Sequence, residues 1–237
     1  MINRELLIMR YIMQYDDTNL QMNDNNVNNT TDQSMTAHVR VLHSATRSPD
    51  VDVHVNDNPV ATNLKYREFT EYLELPSGTY NFKVYRAGDN SKPLVDVDAY
   101  LAPNSISTLA AHTDVNALHL NLVEEKPLYN SDDTKAKIRA VHHVENTPPV
   151  DLLIIERGHI FETLDFTDIA DYIEIPPGTY TFELRLADTD IPLLYVPNAT
   201  LNAGNYYSVY LIGLLNDFHE LQVLIPLDGL SYINKKK

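Results

Sequence analysis

The chain has 237 residues, of which 43% are hydrophobic, enough to bury a sizeable core and too apolar for disorder over the whole length. Its 18 Lys and Arg against 33 Asp and Glu leave a formal charge of −15, which sets it against nucleic acid and anionic membrane surfaces as partners. With no cysteine, disulfide frameworks, thiolate metal sites and cysteine nucleophiles are excluded.

The first element is an apolar arm over residues 1–17. Its longest apolar cluster, Leu6 to Met9, is closed by Arg10, short of the roughly 7–15 apolar residues of a secretory signal. No later stretch approaches the roughly 18–20 apolar residues that span a bilayer. The expectation is a chain without a transmembrane segment, synthesised in the cytoplasm without a signal peptide. Ile2, Leu6, Met9 and Met13 recur at helical spacing, while Leu7, Met9, Tyr11 and Met13 alternate as in a strand, so helix and strand both stay open. Residues 18–36 follow as a flexible linker, with six Asn between Thr18 and Ser34 and almost nothing to bury. An apolar segment on a polar tether either folds back on its own domain or docks on a neighbouring subunit. In the second case the anchors are Leu6, Leu7, Ile8, Met9, Tyr11 and Ile12.

The remainder is an internal repeat. Glu71-Tyr72-Leu73-Glu74-Leu75-Pro76-Ser77-Gly78-Thr79-Tyr80 recurs as Asp171-Tyr172-Ile173-Glu174-Ile175-Pro176-Pro177-Gly178-Thr179-Tyr180. Upstream, Arg40 to His43 and Val51 to Val53 answer Arg139 to His142 and Val150 to Leu152. Downstream, Leu101 to Ser105 answers Leu201 to Asn205. The units are residues 37–125 and 136–237, the second ending in a short basic tail, with a Pro-, Asn- and Asp-containing linker at 126–135.

Within the units the hydrophobic period is two. His38, Arg40 and Leu42 face away from Val39, Val41 and His43, and Val51, Val53 and Val55 alternate with polar neighbours, the pattern of half-buried strands. The chemistry of Pro76-Ser77-Gly78 and Pro177-Gly178 predicts tight turns in which Gly78 and Gly178 take positive φ. Short strands between turn signals predict an all-β fold of two tandem antiparallel, immunoglobulin-like or transthyretin-like β-sandwiches. Tyr80 and Tyr180 read as structural, with ring in the core and hydroxyl tying a loop.

These blocks resemble a bacterial family, the domain of unknown function 4397. The matching residues are Val39 to His43, Val51 to Val53, Leu75 to Tyr80 and the weaker Leu101 to Ile106, then Ile138 to His142, Val150 to Leu152, Ile175 to Tyr180 and Leu201 to Val209. The first copy departs at Pro103-Asn104-Ser105, which lacks the Ala-Gly and aromatic pair of the second. The resemblance implies a sandwich found in tandem on bacterial surface proteins and no transferable enzymatic activity. A spore-surface location would reconcile such a module with the expected cytoplasmic synthesis.

For chemistry, His43 with Asp52 and His142 with Asp151 are the first candidates, since a His beside a carboxylate begins many acid–base sites. Their presence in both copies favours an internal hydrogen bond holding two strands. No nucleophile elbow, zinc-protease helix, phosphate loop or calcium loop is present, so no catalytic residue, cofactor or metal site is assigned. His142 and His143 point to opposite strand faces and do not make a two-ligand site with His38, His54 or His159. Asp50, Asp52, Asp96, Asp98, Asp188 and Asp190 read as solubilising acids rather than a calcium site. Tyr66, Tyr85, Tyr100, Tyr206 and Tyr207 are the residues a glycan-binding face would use.

The reading is a non-enzymatic structural, assembly or adhesion protein, a subunit of a bacterial spore-surface or cell-surface layer or filament. Its partners are copies of itself or other surface proteins, through the arm and sheet edges. The alternative is a glycan- or other ligand-binding module.

Overall fold

A computed structural model describes residues 35–115, 117–217 and 220–233. The arm with its anchors Leu6, Leu7, Ile8, Met9, Tyr11 and Ile12, and the linker up to residue 34, lie outside the described residues.

The first repeat contains β1 (Thr36–His43), β2 (Val51–Val55), β3 (Asn58–Leu64), β4 (Leu73–Pro76), β5 (Gly78–Arg86), β6 (Val95–Leu101), β7 (Ile106–Asp114) and β8 (Ala117–Glu124). The second runs β9 (Ala136–His142), β10 (Val150–Ile154), β11 (Gly158–Leu164), β12 (Ile173–Ile175), β13 (Gly178–Leu186), β14 (Pro192–Leu201), β15 (Tyr206–Ile212) and β16 (Gln222–Leu224). Each repeat is a sandwich of two four-stranded sheets: β4-β1-β7-β8 over β3-β2-β5-β6, and β12-β9-β15-β16 over β11-β10-β13-β14. A 3-10 turn at Gly229–Ser231 follows, and among the described residues no helix is long and apolar enough to cross a membrane.

Two strand pairs depart from the antiparallel expectation. β1 runs parallel to β7, pairing Arg40 with Thr108, and β9 runs parallel to β15, pairing Arg139 with Ser208. These partners are far apart in sequence, so no hairpin dictates their direction.

Each repeat has its own core. Val39, Val41, Val53, Phe82, Val84 and Leu109 fill the first, and Ile138, Leu152, Ile154, Phe182, Leu184 and Val209 the second. A side chain of this size contributes roughly 1.5–3 kcal/mol when fully buried. The strands expected to be half-buried are not so in β1 and β9. From Val39 to His43, and from Ala136 to His142, every residue is buried. The cause is a third apolar cluster, in which Leu42, Ala110 and Val123 of the first repeat join Val141, Tyr210 and Ile212 of the second. The sheets carrying β1 and β9 are therefore sandwiched between their own core and the other repeat.

The Pro-x-Gly segments are corners rather than hairpin turns. β4 pairs with β1 and β5 pairs with β2 and β6, so the chain changes sheets at Ser77; β12 and β13 do the same at Pro177. Gly178 is not among the positive-φ glycines, contrary to the turn expectation. Glycine here leaves room for Tyr180, because a Cβ would lie 3.3 Å from its Cζ and hydroxyl and the ring would have to shift by a few tenths of an ångström.

Candidate functional site

His43 and Asp52 do not serve each other. His43 Nε2 lies 3.0 Å from the Pro49 carbonyl, and its Nδ1 accepts from the Ala45 N–H. Asp52 instead accepts the N–H groups of Asn63 at 2.7 Å and Gly88 at 2.9 Å. In the second repeat His142 Nδ1 accepts from Val144 N–H and Nε2 meets Thr147 Oγ1, while Asp151 accepts from Thr163 N–H at 2.8 Å. Asn63 and Thr163 have φ of 53° and 52° and sit where the ladders with β2 and β10 shift register. Each aspartate thus holds a β-bulge, and each histidine holds the loop after its own strand. Tyr80 and Tyr180 donate to the carbonyls of Pro76 at 2.8 Å and Pro176 at 2.6 Å, across the corners that carry Gly78 and Gly178.

The densest polar constellation lies where the two repeats meet. Arg40 projects from β1 between core residues Val39 and Val41, on the opposite face. Its Nε donates to Thr108 Oγ1 at 2.9 Å, Nη1 to the Leu227 carbonyl at 3.1 Å and Nη2 to Asp228 Oδ1 at 2.9 Å. Asp228 is fully buried and its Oδ2 accepts from both Tyr172 and Ser208 at 2.6 Å. Arg139, the counterpart of Arg40, donates from Nε to Ser208 Oγ at 2.7 Å and from Nη1 to the Glu124 carbonyl at 2.6 Å, leaving Nη2 without a hydrogen bond. Tyr72 donates a short bond to Glu125, whose other oxygen accepts from Leu230 N–H at 2.9 Å. Both guanidiniums lie over tyrosine rings, Arg40 on Tyr72 at 4.8 Å and Arg139 on Tyr172 at 4.6 Å.

Burial governs the protonation of this seam. It raises the Glu125 carboxyl above its usual range, with the nearby Asp228 charge adding to the effect. It also raises the Tyr72 and Tyr172 phenols, so both remain donors. Taking two guanidiniums and their carboxylate out of water is costly unless each is met by fixed partners, and here Thr108 and Ser208 of the arginines' own repeats join Asp228 and the Leu227 and Glu124 carbonyls of the opposite ones.

Beside the seam His143 lies 3.1 Å by Nδ1 from Ser44 Oγ, and its ring is 5.0 Å from that of His112, which is stacked at 5.8 Å with His119. Burial lowers the pKa of His143 well below the usual value and that of His112 as well. Among the described residues no group of three His, Asp or Glu could hold a metal ion. Asp96 and Asp98 both accept from Asn81 Nδ2, and Asp190 faces Arg185.

The five tyrosines named for a glycan face do not gather. Tyr85, Tyr206 and Tyr207 are buried and Tyr66 is half-buried, which leaves Tyr100 exposed at 60%. Tyr195 on β14, 53% exposed, belongs to the other repeat. β6 and β14 lie at the open edges of their sheets, and Leu94, Val97, Ile191 and Tyr195 are exposed on or beside them.

Sequence reasoning passed over Arg40, Arg139, Tyr72, Tyr172, Glu125 and Asp228 as a site. The available signal was an arginine set between core residues in the first strand of both copies. Asp228 had none, since it falls where the copies no longer align.

The family model described as Domain of unknown function (DUF4397) matches residues 37–153 and 136–228. No curated protein matches. Among solved structures, a CBM26-family carbohydrate-binding module from Eubacterium rectale, solved with maltoheptaose, is 12% identical with a TM-score of 0.26, covering 79% of this chain and 96% of that one. The TIE protein of Bacillus anthracis is 11% identical with a TM-score of 0.21, covering 76% of this chain, which spans 34% of that one. At these scores neither likeness carries an argument.

Proposed function

The chain belongs to the DUF4397 family, and from that starting point we propose that it is a non-enzymatic structural module that works by assembly at a bacterial cell or spore surface. The observation that carries the reading is that two of the edge strands, β6 and β14, have apolar side chains exposed on or beside them. An unpaired edge presents a row of N–H and C=O groups to which another chain adds as a strand. Pro192 and Pro197 interrupt the donors along β14 and so restrict which segment can pair there. Further support comes from the polar groups that resemble catalytic parts. His43, His142, Asp52 and Asp151 hold loops and bulges, while the seam arginines hold repeat to repeat.

In this mechanism residues 2–15 dock on the next subunit, with the Asn-rich segment as tether. The test is negative-stain electron microscopy and light scattering of the full chain beside one lacking residues 1–17. Particles larger than one chain that vanish with the deletion, while the core keeps its circular dichroism spectrum, support the mechanism. Assemblies that survive the deletion unchanged contradict it.

A further inference from the structure

The seam is arranged as a two-fold dimer interface is arranged. In such an interface residue i of one partner meets residue j of the other, and j meets i. Arg40 of the first repeat reaches the Leu227 carbonyl and Asp228 of the second; Arg139 of the second reaches the Glu124 carbonyl of the first. Arg40 leans on Thr108 and Arg139 on Ser208, at matching positions of β7 and β15. Within its own repeat Tyr72 meets Glu125, and Tyr172 likewise meets Asp228. Glu125 and Asp228 are themselves equivalent, since their N–H groups bond the carbonyls of Ile106 and Tyr206 at the start of β7 and β15. Ser44 and His143, also equivalent, touch each other and so mark the axis.

We propose that the seam is a recognition surface in its own right: a first repeat binds a second repeat through it without the covalent link, so the first repeat of one chain fits the second repeat of another copy. This goes beyond assembly through the amino-terminal segment and does not depend on it.

The residues that break the symmetry show which pairing the surface selects. Tyr210 packs edge-on against Phe69 at 6.0 Å, whereas the mirror positions hold Ala110 and Ile169. Two first repeats would set Ala110 against Phe69 twice and leave voids. Two second repeats would bring His143 against His143, replacing the Ser44 hydrogen bond with two like rings. The mixed pair sets Tyr210 on Phe69 and gives the His143 imidazole its Ser44 partner, which is how specificity arises from penalties on wrong pairs.

The test uses the full chain with a protease site inserted in the exposed linker between Tyr129 and Ser131, cut after purification. The two halves then co-elute at the 27.0 kDa mass of the intact chain. When mixed with a cut, isotope-labelled chain, they exchange, and native mass spectrometry finds labelled first halves on unlabelled second halves. Separation of the halves on cutting, at micromolar concentration, overturns the proposal. So does a population in which first halves pair with first halves as readily as with second.

Discussion

Ser44 and His143 stand 99 residues apart at the same place in the two repeats, and Ser44 Oγ lies 3.1 Å from His143 Nδ1. Together with the reciprocal reach of Arg40 to the Leu227 carbonyl and of Arg139 to the Glu124 carbonyl, this contact between equivalent residues places a two-fold relation between them. It identifies the tandem repeat as a pseudo-symmetric pair with a polar, buried seam, and the consequences for stability follow from which groups that seam encloses.

Asp228 is the hub, accepting from Arg40, Tyr172 and Ser208 with no exposed surface. Asp228→Ala leaves the Arg40 guanidinium buried without its counter-charge, and removal of one partner from such a pair costs about 3–5 kcal/mol. The urea midpoint should fall accordingly. The exposed pair Lys126–Glu124 is the control, and Lys126→Ala should leave the midpoint where it was.

Acid should destabilise the fold with a predictable sign. His43, His112, His142 and His143 are all lowered, each chiefly by burial, and His142 to about 4. Asp50 and Glu68 face His43, Asp114 and His119 face His112, Asp165 faces His142, and His112 and His142 face His143. The unfolded chain takes up protons below about pH 6.5 that the folded chain refuses, so stability is complete above that value and falls as pH drops toward 4. His142 alone accounts for about 3 kcal/mol of that loss. Glu125, raised by burial and by Asp228, pulls the other way, as one group against four. Urea midpoints measured from pH 7.5 to 4.5 check the trend, and in the His142→Gln chain the slope should be shallower.

Thr163 takes φ of 52°, a conformation that costs a β-branched residue about 1–2 kcal/mol, while the first repeat places Asn63 at the same point with φ of 53°. Thr163→Asn should therefore raise the thermal midpoint, with a gain of about 1 kcal/mol, because asparagine tolerates this region and keeps the N–H that Asp151 accepts. A midpoint that stays or falls would assign the bulge to the Thr163 side chain instead.

Tyr180 is buried and its hydroxyl donates to the Pro176 carbonyl at 2.6 Å, whereas the Tyr80 bond to Pro76 is exposed. Tyr180→Phe should cost about 1 kcal/mol and Tyr80→Phe less, since an exposed carbonyl regains water. Calorimetry of the two variants separates them.

The repeat, the strands and the sandwich class were legible in the sequence because blocks such as Leu75 to Tyr80 recur intact and their apolar residues alternate. The parallel pairing of β1 with β7 was not, since period two says which face a residue occupies and nothing about strand order. The burial of Arg40 was hidden for the same reason. Alternation placed it opposite Val39 and Val41, on a face that reads as solvent until the second repeat covers it. His43 and Asp52 misled by adjacency in type, when strand register sends one to Pro49 and the other to Asn63.

The central claim is that the chain works by assembly. Sedimentation velocity of the full chain over a hundredfold range of concentration tests it most directly. The account predicts species heavier than the 27.0 kDa chain that grow with concentration. A single 27.0 kDa species across the whole range would contradict it.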